Sequence, residues 1–228
     1  MITRTLLSVI ALVSVLGSAA QQYGSIKDSR DGKIYKTVKI GSQTWMAENL
    51  NVSKFRNGDP ILEAKTYEEW KEAGEKEQPA WCYYNNDPRN GAKYGKLYNW
   101  YAINDPRGLS PKGWHVPSKS DWKDFTNYLG GELSVGMKIK SKTGWITYPV
   151  NYGGNDQYGF KALPAGYSFG AESRFGRFYG EQEYGAFWSS TETDSISAFE
   201  LPIGGQSYVS SIGSQNKDVG LSVRCIKD

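Results

Sequence analysis

One stretch, Gly113-Trp114-His115-Val116-Pro117-Ser118-Lys119-Ser120-Asp121-Trp122-Lys123-Asp124-Phe125, limits what the rest of this chain can fold into. Trp114 and Val116 are spaced as a short strand, Pro117 ends it, and Ser118 stands where a helix needs its N-cap. Asp121, three residues on, completes a capping-box pattern in which each side chain satisfies the other residue's backbone amide. Trp122, Phe125, Tyr128 and Leu129 then fall on one helical face until Gly130-Gly131 stops the helix. A strand–turn–helix punctuated at both ends, set among short apolar runs and turns, predicts an α+β fold.

The first twenty residues read as an export signal. Arg4 precedes an apolar run from Leu6 to Leu16, and the small residues Gly17-Ser18-Ala19-Ala20 follow. That run is too short to span a bilayer. Cleavage after Ala20 is expected, and no cysteine stands there to carry a lipid anchor. The mature chain therefore has no membrane span, and its expected address is extracellular, cell-surface or periplasmic. Residues 21–30 are polar and read as a loose lead-in. No linker or repeat divides the remainder, so residues 31–228 are expected to form one domain. The formal net charge is +3 without a basic run or stripe, which excludes the usual footprint of a nucleic-acid binder.

In an exported chain two cysteines, Cys82 and Cys225, favour a disulfide. Closing so long a loop would stabilise the fold by roughly 5 kcal/mol in the chain-entropy account. Two buried thiols in adjacent strands are the alternative.

Along the chain, Ile34–Ile40 alternates as a half-buried strand and turns through Gly41-Ser42 into Gln43-Thr44-Trp45-Met46, a hairpin. Thr66 and Glu69 form a second capping box for a short helix. Trp81–Tyr84 reads as a strand, Asn85–Gly91 as a turn, and Leu97–Ala102 as either helix or strand. Phe160–Tyr167 is strand-like, and strands at 185–190, 198–201 and 221–226 close the chain.

Seven blocks then stand in order: Asp31-Gly32-Lys33-Ile34-Tyr35, Gln43-Thr44-Trp45-Met46-Ala47-Glu48-Asn49-Leu50, Tyr94-Gly95-Lys96-Leu97-Tyr98-Asn99-Trp100-Tyr101-Ala102, Gly113-Trp114-His115-Val116-Pro117, Leu163-Pro164-Ala165-Gly166-Tyr167, Phe187-Trp188-Ser189-Ser190-Thr191-Glu192 and Ser222-Val223-Arg224-Cys225. In these the chain resembles the Fibrobacter succinogenes major paralogous domain family of exported bacterial proteins. The helix start from Val116 to Trp122 and the closing Val223-Arg224-Cys225 are also similar to the C-type-lectin-like fold of formylglycine-generating enzymes. The resemblance implies a twisted antiparallel sheet, two flanking helices and long irregular loops. It does not extend to the enzyme's chemistry, which needs a close cysteine pair near the C-terminus, where this chain has only Cys225.

No catalytic constellation is recognisable. Ser120-x-x-Lys123 and Lys142-Thr143-Gly144 spell two β-lactamase motifs without the third element between them. His115 is the single histidine and reads as a structural hydrogen-bonding group. Asn85–Gly91 and Asn155-Asp156 lack an EF-hand spacing. No metal and no cofactor is expected. A hydrolase would need a carboxylate pair, and nothing selects one from Glu172, Glu181, Glu183, Glu192 and Glu200.

What remains is the stretch 167–184, where Tyr167, Phe169, Arg174, Phe175, Phe178, Tyr179 and Glu181 alternate with glycine in no helical or strand period. Rigid rings beside charged groups suit recognition of a glycan or a protein surface. The expected function is a secreted or cell-surface binding module without catalysis. The alternatives are a polysaccharide-active hydrolase using a Glu pair, and a structural part of an envelope or adhesive assembly.

Overall fold

The central stretch folds as its punctuation requires. Trp114–His115 is a strand, and Ser118 Oγ accepts from the Asp121 amide while Asp121 Oδ2 accepts from the Ser118 amide at 2.8 Å. The helix that follows, Lys119–Tyr128, buries Trp122 and Phe125 and ends at the buried Leu129. Tyr128 leaves that face and is 56 % exposed, because it lies one residue short of the next buried turn and packs edge-on to Tyr158 at 6.0 Å.

The computed structural model describes residues 21–146, 153–170, 177–205 and 210–228. In chain order the elements are β1 Tyr23–Lys27, β2 Ile34–Ile40, β3 Gln43–Met46, β4 Leu62–Glu63, α1 Tyr67–Glu75, β5 Ala80–Cys82, α2 Pro88–Tyr94, β6 Leu97–Tyr98, α3 Trp100–Ile103 and β7 Trp114–His115. After them come α4 Lys119–Tyr128, α5 Glu132–Ile139, β8 Ala165–Ser168, β9 Phe178–Glu181, β10 Tyr184–Glu192, β11 Ser197–Gly204, β12 Gly213–Asn216 and β13 Ile226–Lys227. The fold is α+β. An antiparallel sheet runs β1-β2-β3-β13-β7, and β10-β11-β12 form a second. Smaller sheets are the β8-β9 hairpin and β4-β5-β6, where β4 and β5 run parallel.

The β2–β3 hairpin and both capping boxes are present as the sequence predicts. The stretch 97–102 is strand and helix in turn, because Asn99 caps α3 by accepting from the Ala102 amide at 3.1 Å. Elsewhere the structure corrects the expectation. Residues 21–30 are not a loose lead-in. Tyr23–Lys27 pairs with β2 as an edge strand whose side chains face mostly outward, so no apolar alternation marks it. Behind it Asp28 and Arg30 form a buried ion pair at 2.6 Å, and Arg30 also donates to the Leu109 carbonyl. The turn expected at Asn85–Gly91 tightens at once into α2. Asp87 is its cap and Pro88 its first residue, and Asn90 Nδ2 donates to the Tyr84 carbonyl.

The two cysteines are free thiols, which overturns the expected bridge. Cys82 packs with Trp70, Ala80 and Leu97, whereas Cys225 belongs to the core around Met46, Tyr98 and Trp188. Each is surrounded by its own apolar cluster, and burial pushes the thiols up to about 11 and about 12, so neither forms a thiolate readily.

Tryptophan does a second job beyond filling the core. Indole N–H groups donate to the backbone of distant segments: Trp70 to Asp218, Trp81 to Ile61, Trp100 to Ser189, Trp122 to Trp188 and Trp188 to Tyr98. Rings whose bodies are buried thereby tie irregular segments to the sheets. Trp45 stacks on Trp122 at 4.7 Å, and Phe125, Phe160 and Phe187 surround the pair.

The closing Arg224 is fully buried. Its guanidinium lies over the Phe160 and Phe187 rings and donates to the carbonyls of Met46, Phe160 and Lys161 and to Asn49 Oδ1. Burial without a direct carboxylate partner lowers its pKa to about 9.

Candidate functional site

The β8–β9 hairpin exists because residue 166 is glycine. Gly166 has φ +63°, and a Cβ there would sit 2.5 Å from the Tyr179 carbonyl and from the Tyr84 ring. With the backbones this close, Tyr167 pairs directly across from Tyr179. Their rings lie 5.9 Å apart, Phe169 lies 4.9 Å from Tyr167, and Tyr184 lies 5.4 Å from Tyr167 on the inner side. Exposure is graded across this face: Tyr179 is 54 % exposed, Tyr167 and Phe169 are half-buried, and Tyr167 and Tyr184 rest against the main core. The result is an aromatic platform with a fixed inner edge and a wet outer one.

The predicted site residues divide over this hairpin. Tyr167, Phe169 and Tyr179 gather on the platform. Phe178 points to the opposite face, where its ring meets Tyr84 at 5.2 Å and the Arg177 guanidinium at 4.9 Å, so its role is packing. Glu181 is drawn away to α2, accepting from the Tyr94 hydroxyl at 3.2 Å with Lys93 at 3.7 Å. Arg174, Phe175 and Glu172 lie outside the described residues.

Sequence reasoning missed a cleft of about 360 Å³ lined in part by Lys93 and Tyr94, the two partners of Glu181. The residues before and within β2, the corner after β3, the end of α2 and the segments 141–143 and 156–163 enclose it. Lys33, Lys36, Lys93, Lys142 and Lys161 line it, with Glu48 and Asp156. These lysines come from four separate segments, so no local motif could have announced them. The one usable signal was Gly95 in the third block. It has φ +78°, and a Cβ there would lie 2.8 Å from the Leu50 carbonyl, which marks a close approach at the cleft wall.

Other predicted chemistry is taken up elsewhere. His115 bonds Asp228 Oδ1 through Nδ1 at 2.7 Å and faces Asp121 Oδ2 through Nε2 at 3.4 Å, joining β7, the α4 cap and the chain's end. Lys142 and Thr143 lie on the cleft, while Ser120 is in the first turn of α4. Glu192 is engaged by Lys217 at 2.7 Å. Among the described residues, no group of three or more His, Cys, Asp or Glu side chains is placed to hold a metal.

Glu200 lies beneath the platform. It is 5 % exposed, receives a hydrogen bond from Tyr184, and its Oε2 has no partner among the described residues. Burial pushes its pKa from 4.5 up to about 7. Between those values the folded state keeps the proton and the unfolded state releases it, so stability falls as pH rises. At about 1.4 kcal/mol per unit the full loss is roughly 3 kcal/mol, complete above pH 7. Urea unfolding at pH 5 and pH 8 should show this decline in the wild type and not in Glu200→Gln. Equal pH slopes in the two proteins would contradict it.

Fold and site together define an α+β protein that carries a core-anchored aromatic hairpin beside a basic cleft. The chain belongs to the Fibrobacter succinogenes major domain family, which it matches over residues 38–227. No curated protein and no solved structure matches it. Among the described residues no helix is long and apolar enough to cross a membrane.

Proposed function

We propose that the chain is an exported, non-catalytic binding module of C-type-lectin-like architecture that recognises glycan through the β8–β9 platform. The carrying observation is the row Tyr179, Tyr167 and Phe169, in which Tyr167 packs against the core and Tyr179 is 54 % exposed. A ring already fixed by packing loses little entropy when a sugar face stacks on it. Export is supported by the Arg4-to-Ala20 pattern, and the architecture by the antiparallel sheet joining β1 to β13, by helices α1 and α4, and by the long irregular segments between them. The absence of catalysis is the reading supported by the carboxylates described: Glu181 and Glu192 sit against lysines, and Glu200 is closed under the platform.

A glycan array followed by calorimetry tests this. Tyr179→Ala should weaken the best binder about tenfold or more, the worth of one stacked anchor ring, with unfolding unchanged. Full affinity in Tyr179→Ala would remove the platform as the site. Turnover of a bound glycan that disappears in one Glu→Gln variant would replace the proposal with the hydrolase reading. Stable co-purification with one protein partner, without glycan binding, would replace it with the assembly reading.

A further inference from the structure

The cleft beside the platform carries a positive charge that the fold does not neutralise. Of its five lysines, Lys93 alone has an ion pair within 4 Å among the described residues, to Glu181 at 3.7 Å. The two cleft acids are occupied by backbone: Glu48 Oε2 accepts from the Lys36 amide at 2.7 Å, and Asp156 Oδ1 from the Lys161 amide at 2.8 Å. Five lysines against these two carboxylates leave the lining net positive. Like charges gathered on a concave wall repel one another and focus their field into the opening, an arrangement that favours an anion there.

The wall is also held in place before any ligand arrives. Lys161 has φ +56°, a conformation that costs a non-glycine residue free energy. It is held there with its carbonyl bonded to Arg224 Nη2 at 2.8 Å, while Arg224 Nε fixes Asn49 on the facing wall. At about 360 Å³ the cleft is at the small end of ligand sites and suits one sugar ring with its charged substituent. Leu163 in its wall leads directly into β8, and Glu181 at the end of β9 is bonded to the cleft's Tyr94. The β8–β9 hairpin therefore borders the cleft at both of its base ends.

We propose that this cleft takes the carboxylate or sulfate of an acidic sugar residue whose chain continues onto the Tyr167–Tyr179 platform. The proposal rests on the glycan reading above and names its substrate class, an acidic polysaccharide. The test titrates the full chain, by calorimetry at low and high salt, with galacturonate oligomers, sulfated galactose oligomers and neutral galactose oligomers of equal length. An anionic oligomer should bind at least about tenfold more tightly than the neutral one, and high salt should erase the difference. The stronger of the two anionic ligands identifies carboxylate or sulfate as the group held.

Lys36→Gln combined with Lys142→Gln changes two exposed side chains and should remove the anionic advantage while leaving neutral binding as it was. Equal affinity for neutral and anionic oligomers would overturn the cleft proposal and leave the platform reading standing. So would an unchanged anionic affinity in the double variant. Sensitivity to the lysine changes together with indifference to Tyr179→Ala would uphold the cleft and overturn the platform. A chain that binds none of the three overturns both.

Discussion

Arg224→Leu should cost about 4 kcal/mol or more, a large part of the stability of an ordinary domain. The side chain is fully buried, and its removal strands three carbonyls, of Met46, Phe160 and Lys161, along with Asn49 Oδ1. Each buried acceptor left without a donor carries a desolvation penalty of about 1–3 kcal/mol. Arg224→Lys keeps the charge and lacks the planar fork, so it cannot reach four acceptors on separate segments and should lose about half as much. Urea unfolding reads both values. A loss under 1 kcal/mol for Arg224→Leu would show that the segments around residues 46 and 160 hold their places without it. The same contacts set the cleft wall, so glycan affinity in Arg224→Lys should drop alongside stability.

The second large effect is at the helix that the central proline starts. Trp122→Ala should cost about 3–5 kcal/mol, in line with removing a large ring from a packed interior. Trp122 stacks on Trp45, meets Phe125 at 5.6 Å and Phe187 at 6.0 Å, and its indole N–H donates to the Trp188 carbonyl. The variant loses contacts with the first hairpin, its own helix and β10 together, so near-ultraviolet circular dichroism should fall with stability. Trp122→Phe keeps part of the packing and loses the hydrogen bond, and should cost about half as much. A Trp122→Ala protein with wild-type urea midpoint would show that α4 is not the element that locks the sheets.

The two predictions depend on features of different legibility. Trp122 was readable as core from helical spacing and a capping box, both local. Arg224 was visible only as part of a closing block, and its four acceptors, drawn from residues 46, 49, 160 and 161, have no sequence relation to it. The platform lies between these cases. The sequence marks the ring-rich stretch 167–184, but the pairing of Tyr167 with Tyr179 decides that Phe178 turns inward and that Glu181 leaves for α2. The disulfide expectation failed on a related point, because parity and compartment bear on whether cysteines are oxidised and say nothing of which apolar cluster each one enters.

By itself the sequence determined the parts of this protein whose energetics are settled within a few residues: both capping boxes, the β2–β3 hairpin, and the family through its seven blocks. Only the tertiary structure decided the edge strand β1, the separate burial of Cys82 and Cys225, the face each ring of the hairpin presents, and the basic cleft. The physical reason is range. A cap or a tight turn closes its hydrogen bonds locally, whereas an edge strand takes its partners from its neighbour's backbone and a cleft takes its charge from lysines that meet only after the sheets have packed.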